Sequence, residues 1–271
     1  MSTDGLNQRI GCCIYCGSKE PELTKEHVVP KGLNGNVTLG EASCRRCADI
    51  TKRFEGHILH EVWQGCRAQA GLGSRHKENR PLYLPLAVQR GQSWSVECVP
   101  IPDHIALAAF PIFVPPAHLT GANYTEGITL APSAFGCVVH ERWQTLLQRL
   151  GANGWGFVQV FRPVDFARLI AKVAYGMAIY LEGYDYFETR YVVPCILGQR
   201  DDVGRWVGTA SGPFHPPGEG LHEVSVFPVG QEAWAYVRLF AKAGTPTYLV
   251  VLGTLASSAG APGLLSLQGD R

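Results

Sequence analysis

Two short cysteine pairs constrain this chain more than any other feature: Cys13 and Cys16 in CIYCG, and Cys44 and Cys47 in ASCRRCAD, with 27 residues between the pairs. A CxxC turn reverses the backbone sharply enough to aim two thiolates at one ion, and Zn²⁺ prefers four ligands in a tetrahedron. Two such turns predict a closed site of Cys13, Cys16, Cys44 and Cys47. It has no open coordination position, so the zinc is expected to be structural, with its binding energy part of the folding energy. Cys12 competes with Cys13 as a ligand; the CxxC spacing favours Cys13.

Nine cysteines is an odd number, and those outside the pairs are scattered. This fits a metal site plus ordinary buried thiols in a reducing compartment better than a disulfide framework. The first residues, MSTDGLNQRI, have neither a basic nor an apolar stretch of the secretory kind, so a cytoplasmic location is expected. The longest uncharged apolar run, TYLVVLGTLASSAGAPGLLSLQG, is diluted by Gly, Ser, Ala and Pro, and reads as a strand with a loose tail and no membrane contact.

Texture divides the chain into a Cys-bearing segment, 1–75, and a larger segment, 76–271, joined by the polar stretch GLGSRHKENRP over residues 71–81. The net charge is only +1, but Lys and Arg outnumber Asp and Glu 12 to 9 before Pro81, so the basic excess sits with the cysteines. The second segment is expected to be α+β. PLYLPLAVQRGQSWSVECVP alternates about a Gly turn and predicts a hairpin, and WAYVRLF with TYLVVLG predicts another. Two helices are expected between them, VVHERWQTLLQRL stopping at Gly151 and DFARLIAKVAYGMAIYLE running from an Asp165 N-cap to Gly183. In the second helix Phe166, Leu169, Ile170, Val173, Met177 and Leu181 make one apolar face, while Arg168 and Lys172 lie on another and read as solvated.

Between the Cys pairs stand Glu26-His27, Pro30, Gly32, Gly35, Asn36 and Leu39, with a helix expected from the second pair. Taken with Cys13, Cys16, Cys44 and Cys47, this order resembles the HNH endonuclease family over residues 11–60. The resemblance implies a small zinc-bound ββα-metal domain that hydrolyses phosphodiester bonds, in DNA more than RNA. His27 would act as general base, a role suited to an imidazole whose ordinary pKa lies near neutrality. Glu26 would hold a catalytic Mg²⁺ or Mn²⁺, an ion that wants oxygen ligands. Asn36, with Asn34 as the alternative, would steady the loop and orient the base; both also fit simple turn positions.

One departure stands out. The family commonly has a further metal ligand, His or Asn, directly after the second CxxC, and here that position is Ala48. Asp49 follows it in sequence, and Glu55, seven residues on, returns to nearly the same helix azimuth. Either is a candidate substitute ligand. Phosphate contacts are expected from Lys25, Lys31, Arg45, Arg46, Lys52 and Arg53. His57 and His60 read as packing or surface residues, and Ile50, Phe54, Ile58 and Val62 form a stripe that should dock the helix. The leading expectation is thus a metal-dependent HNH-type endonuclease whose larger segment selects the target or a protein partner. The alternatives are an inactive zinc-ribbon module binding nucleic acid or protein, and a redox sensor working through Cys12, Cys13 and Cys16.

Overall fold

The computed structural model describes residues 7–72, 81–123, 126–156, 158, 160–210, 216–257 and 266–268. Its architecture is mixed α+β with mostly antiparallel sheets. Three strands open it: β1 (Asn7–Arg9), β2 (Thr24–His27) and β3 (Thr38–Ser43). The central strand is β3, parallel to β1 and antiparallel to β2. It runs directly into α1 (Arg45–His57), with Cys44 as the extended N-cap residue, so the helix begins at the second Cys pair as expected. A π-turn over Ile58–Val62 leads on to α2 (Gln64–Gln69). In the docking stripe Phe54, Ile58 and Val62 are buried and Ile50 is half-buried.

The hairpin of β4 (Tyr83–Arg90) and β5 (Ser93–Pro100) turns at Gly91, whose φ of +61° suits a residue without a Cβ. Next, β6 (Ala106–Phe113), the short α3 (Ala117–Thr120) and β7 (Leu130–Val139) form a second antiparallel pair. Val139 pairs with Ala106 at the end of β7, so the helix expected from Val138 starts later, as α4 (Trp143–Leu150). Its β-branched Val-Val start suits a strand better than a helix. The stop at Gly151, with φ +62°, is where expected. Then β8 (Gly154–Gly156) adds to the free edge of β4.

The long helix α5 (Pro163–Glu182) opens two residues before Asp165, because Pro163 brings a helical φ and no N–H that needs a partner. It ends against Gly183 as expected. After it come β9 (Phe187–Arg190), α6 (Val193–Ile196), β10 (Val207–Thr209), β11 (His222–Val229), β12 (Glu232–Leu239), β13 (Tyr248–Leu255) and β14 (Ser266–Gln268). The large sheet runs β10-β13-β12-β11-β14, with β9 pairing farther along β13. The expected second hairpin is β12–β13. Two expectations fall partly outside the described residues: the linker, over 73–80, and the C-terminal run, over 258–265. The last part of that run is not loose, since Ser266–Gln268 pairs with β11.

Packing places α5 between two layers, the large sheet on one side and α1 with β3 on the other. Every residue from Leu169 to Ile179 is buried. The apolar face expected of this helix is therefore covered, but so is its opposite face, as happens when a helix lies between layers. The two segments of the sequence share a single hydrophobic cluster from Cys13 to Leu252. Trp63 is its hub. The indole is fully buried, donates Nε1–H to the Ala109 carbonyl at 3.1 Å, and meets Phe110, Phe166 and Phe240 at centroid distances of 5.2, 5.5 and 5.3 Å. A smaller cluster lies under the β4–β5 hairpin and α4. Among the described residues no helix is long and apolar enough to cross a membrane.

Candidate functional site

The four paired cysteines meet. Their Sγ atoms all lie within 4.8 Å of one another, and Cys16 and Cys44 approach to 3.7 Å. Four sulfurs around a tetrahedral zinc at ~2.3 Å stand ~3.8 Å apart, so the cluster has the dimensions of a zinc site and can hold such an ion. Cys12 is buried and outside the group. Local hydrogen bonds build the first knuckle: Gly17 N–H donates to the Cys13 carbonyl, Cys13 N–H to Ser18, and Ile14 N–H to Ala42 on β3. The second knuckle is the first turn of α1. Burial, followed by the charge of neighbouring Cys13, pushes the Cys47 thiol far above its ordinary value. A bound cation reverses that preference by favouring thiolates.

Between the knuckles, β2 and β3 pair with Glu26 opposite Leu39 and His27 opposite Thr38, after a bulge that follows Thr24. Successive strand residues point to opposite faces. Glu26 is accordingly buried, while Lys25 is exposed and His27 half-buried. The loop after β2 is tight. Asn34 takes the left-handed conformation at φ +63°, as a turn Asn does, and a Cβ on Gly35 would lie 1.9 Å from the Val29 carbonyl oxygen. Arg67 ties this loop to the helices, donating to the Gly32 and Leu59 carbonyls at 2.8 and 2.7 Å. Asn36 is exposed.

The surroundings of His27 favour its neutral form. Burial is the largest cause of its lowered pKa, the charges of Lys172, Lys25 and Lys31 add to it, and Glu55 opposes it. Its Nδ1 is shut off from solvent and has no hydrogen-bond partner. An unprotonated imidazole beside two exposed lysines has the electronic state required of a general base.

The carboxylates of Glu26 and Glu55 do converge, but on an ammonium. Lys172 of α5 places its Nζ 2.7 Å from an oxygen of each. It also donates to the His27 backbone carbonyl and lies 3.5 Å from that of Val28. The Glu55 contact is an ion pair by distance and is not aligned as a hydrogen bond. Lys172 is 1% exposed, so its sequence reading as a solvated lysine is corrected: a helix covered on both sides has no wet face to offer it. Burial alone would lower its pKa, but Glu26 and Glu55 more than offset this and leave it raised. Burial raises the pKa of Glu26, and Lys172 pulls it back. The charge of Glu55 adds to the effect of burial, so the acid retains an upward shift.

Asp49 is exposed and takes no part in this group. Glu26, Asp49 and Glu55 therefore do not fit a hydrated divalent ion as they stand. Two face a cation already in place, and the third points elsewhere. The basic residues Lys25, Lys31, Arg45, Arg46, Lys52 and Arg53 are all exposed. Of the histidines on α1 and beyond, His60 is exposed, whereas His57 is buried and bridges Asp165 and the Val160 carbonyl, each at 3.0 Å.

Sequence reasoning missed Lys172 and Arg67. A signal for the first existed: Lys172 is the sole charge between Leu169 and Ile179, and such a charge in an apolar helix needs a partner if the helix is covered. Comparison with protein-family models, with curated proteins and with solved structures finds no match to this chain.

Proposed function

We propose that residues 11–60 form a zinc-stapled ββα-metal unit of HNH type that hydrolyses phosphodiester bonds in nucleic acid, with DNA as the expected substrate. The observation that carries this reading is the placement of His27: a half-buried imidazole at the end of β2, two residues from the exposed Lys25, with Lys25 and Lys31 among the charges that lower its pKa. Zinc on Cys13, Cys16, Cys44 and Cys47 would be structural, because four thiolates leave no open position, and it would hold the β2–β3 hairpin against α1.

In the proposed reaction His27 takes a proton from water, and the water oxygen attacks phosphorus. The opposite P–O bond breaks, and the leaving oxygen takes its proton from solvent. Lys25 and Lys31 would supply positive charge to the phosphate oxygens, and the exposed Arg45, Arg46, Lys52 and Arg53 would make backbone contacts. No step is assigned to a divalent ion. Asn36, exposed on the loop, would act only by steadying it.

A second reading, a nucleic-acid-binding unit that does not cut, is favoured by one observation: Glu26 is turned inward and paired with Lys172. Nicking of supercoiled plasmid by the zinc-loaded protein separates the two. Loss of a general base costs about 10²- to 10⁴-fold, so His27→Ala should nick at least about a hundredfold more slowly with its zinc content unchanged. Equal nicking by both proteins would refute the hydrolase. A wild type that never nicks, yet shifts labelled duplex in a manner weakened by Arg45→Glu and Arg46→Glu, would establish the binding module.

A further inference from the structure

The group around Lys172 has the makeup of a cation site. Two carboxylates and two backbone carbonyls, from Glu26, Glu55, His27 and Val28, surround a single point with oxygen. Oxygen shells of this kind suit hard ions such as Mg²⁺ or Mn²⁺. Here the point is taken by a side chain reaching in from a helix more than a hundred residues away in sequence.

We infer that the Lys172 ammonium is the resident cation of this site, standing in place of the divalent ion that the HNH resemblance implies, so that the native protein binds no divalent ion at Glu26 and Glu55. This rests on the HNH reading only for the expectation that an ion belongs there; the rest is geometry. Three features keep Lys172 in place. Its backbone lies in a helix buried continuously from Leu169 to Ile179, between the large sheet and α1, so the side chain cannot withdraw without moving the whole layer. Its charge would be stranded among apolar neighbours if Glu26 and Glu55 turned to a metal. And Mg²⁺ retains several of its waters when bound to protein, whereas Glu26 is 6% exposed and Lys172 1%.

The ammonium has a structural consequence that a free ion would not. It fastens α5 to the end of β2 and to α1 through one atom, so the strand bearing His27 is positioned by the larger segment of the chain. Lys172 does not reach the surface and does not touch a substrate; it is a positioning residue. The same reasoning predicts that shortening it exposes a latent metal site, since the four oxygens would remain around a vacated point.

The test is Mn²⁺ binding to zinc-loaded, full-length protein, read by loss of the free Mn²⁺ electron paramagnetic resonance signal. Wild type and Glu26→Gln should bind Mn²⁺ equally weakly, because Glu26 serves Lys172 and no ion. Lys172→Ala should gain one site, at least about tenfold tighter than any in wild type, and adding Glu26→Gln should remove it. One tight Mn²⁺ site in wild type that disappears in Glu26→Gln would overturn the inference. If Lys172→Ala does not fold, the wild-type and Glu26→Gln pair still decides. Failure here is distinct from failure of the hydrolase. Mn²⁺ bound at Glu26 alongside His27-dependent nicking would sink this inference alone, whereas absent nicking with equal Mn²⁺ binding would sink the hydrolase alone.

Discussion

Lowering the pH from 7 to 5 should weaken the fold through His222, a residue that joins the two segments of the chain. It sits at the start of β11, where Nε2 lies 2.8 Å from the Leu33 carbonyl in the loop after β2, and Nδ1 lies 3.2 Å from the Phe240 N–H. The amide can only donate and the carbonyl can only accept, so the network requires a neutral ring protonated at Nε2. A second proton on Nδ1 would face the Phe240 N–H. Burial accordingly lowers the pKa from 6.5 to about 4, and the Leu33 carbonyl opposes this only in part. Because the folded pKa lies below the unfolded one, the unfolded chain binds more protons. The contribution is fully present above pH 6.5, is lost as the pH falls, and levels off below the folded pKa. With these two values the loss is about 2 kcal/mol at pH 5 and approaches about 3 kcal/mol at lower pH. Urea unfolding followed by tryptophan fluorescence at pH 7, 6 and 5 measures it, with His222→Gln as the reference in which this site cannot titrate. The wild type should lose about 2 kcal/mol more than the variant between pH 7 and 5. Parallel stability curves for the two proteins would refute the assignment.

The remaining predictions concern the buried ions, the cysteines and the hub of the core. Lys172→Met leaves the buried Glu26 and the half-buried Glu55 without their cation and should cost about 3–5 kcal/mol, most of it recovered when Glu26→Gln and Glu55→Gln are added; urea midpoints of the single and triple variants check this. Treating zinc-loaded protein with a chelator, or Cys13→Ser, should lower the melting temperature and speed amide exchange along β3 and the start of α1, and an unchanged melting curve after chelation would deny a staple at the four cysteines. Trp63→Ala empties the meeting point of Phe110, Phe166 and Phe240 and should cost about 3–5 kcal/mol in urea unfolding, affecting both segments in one transition.

Features whose causes lie within a few residues are legible in the amino-acid sequence. The CxxC turns at Cys13 and Cys44 point their thiols together because the backbone reversal is local, and the 83–100 hairpin announces itself by alternation about Gly91. Both helix stops, at Gly151 and Gly183, stand where the sequence places them. The start of α4 is not legible, since Val139 is claimed by pairing with Ala106, a choice made across the sheet and not along the chain. Neither is the strand at Ser266–Gln268, which exists only because β11 offers it an edge.

The candidate site divides the same way. Sequence alone placed Glu26 and His27 side by side between two cysteine turns, and the strand buried the first and left the second half-buried. It could not say what Glu26 would meet inside. That depended on which layer covers α5, and an amphipathic reading assumes that one side of a helix stays wet. Tertiary packing covered both sides, leaving the charge of Lys172 no water to face. The oxygens of Glu26 and Glu55 supply the partners, because an ammonium kept from solvent is stable only beside opposite charge.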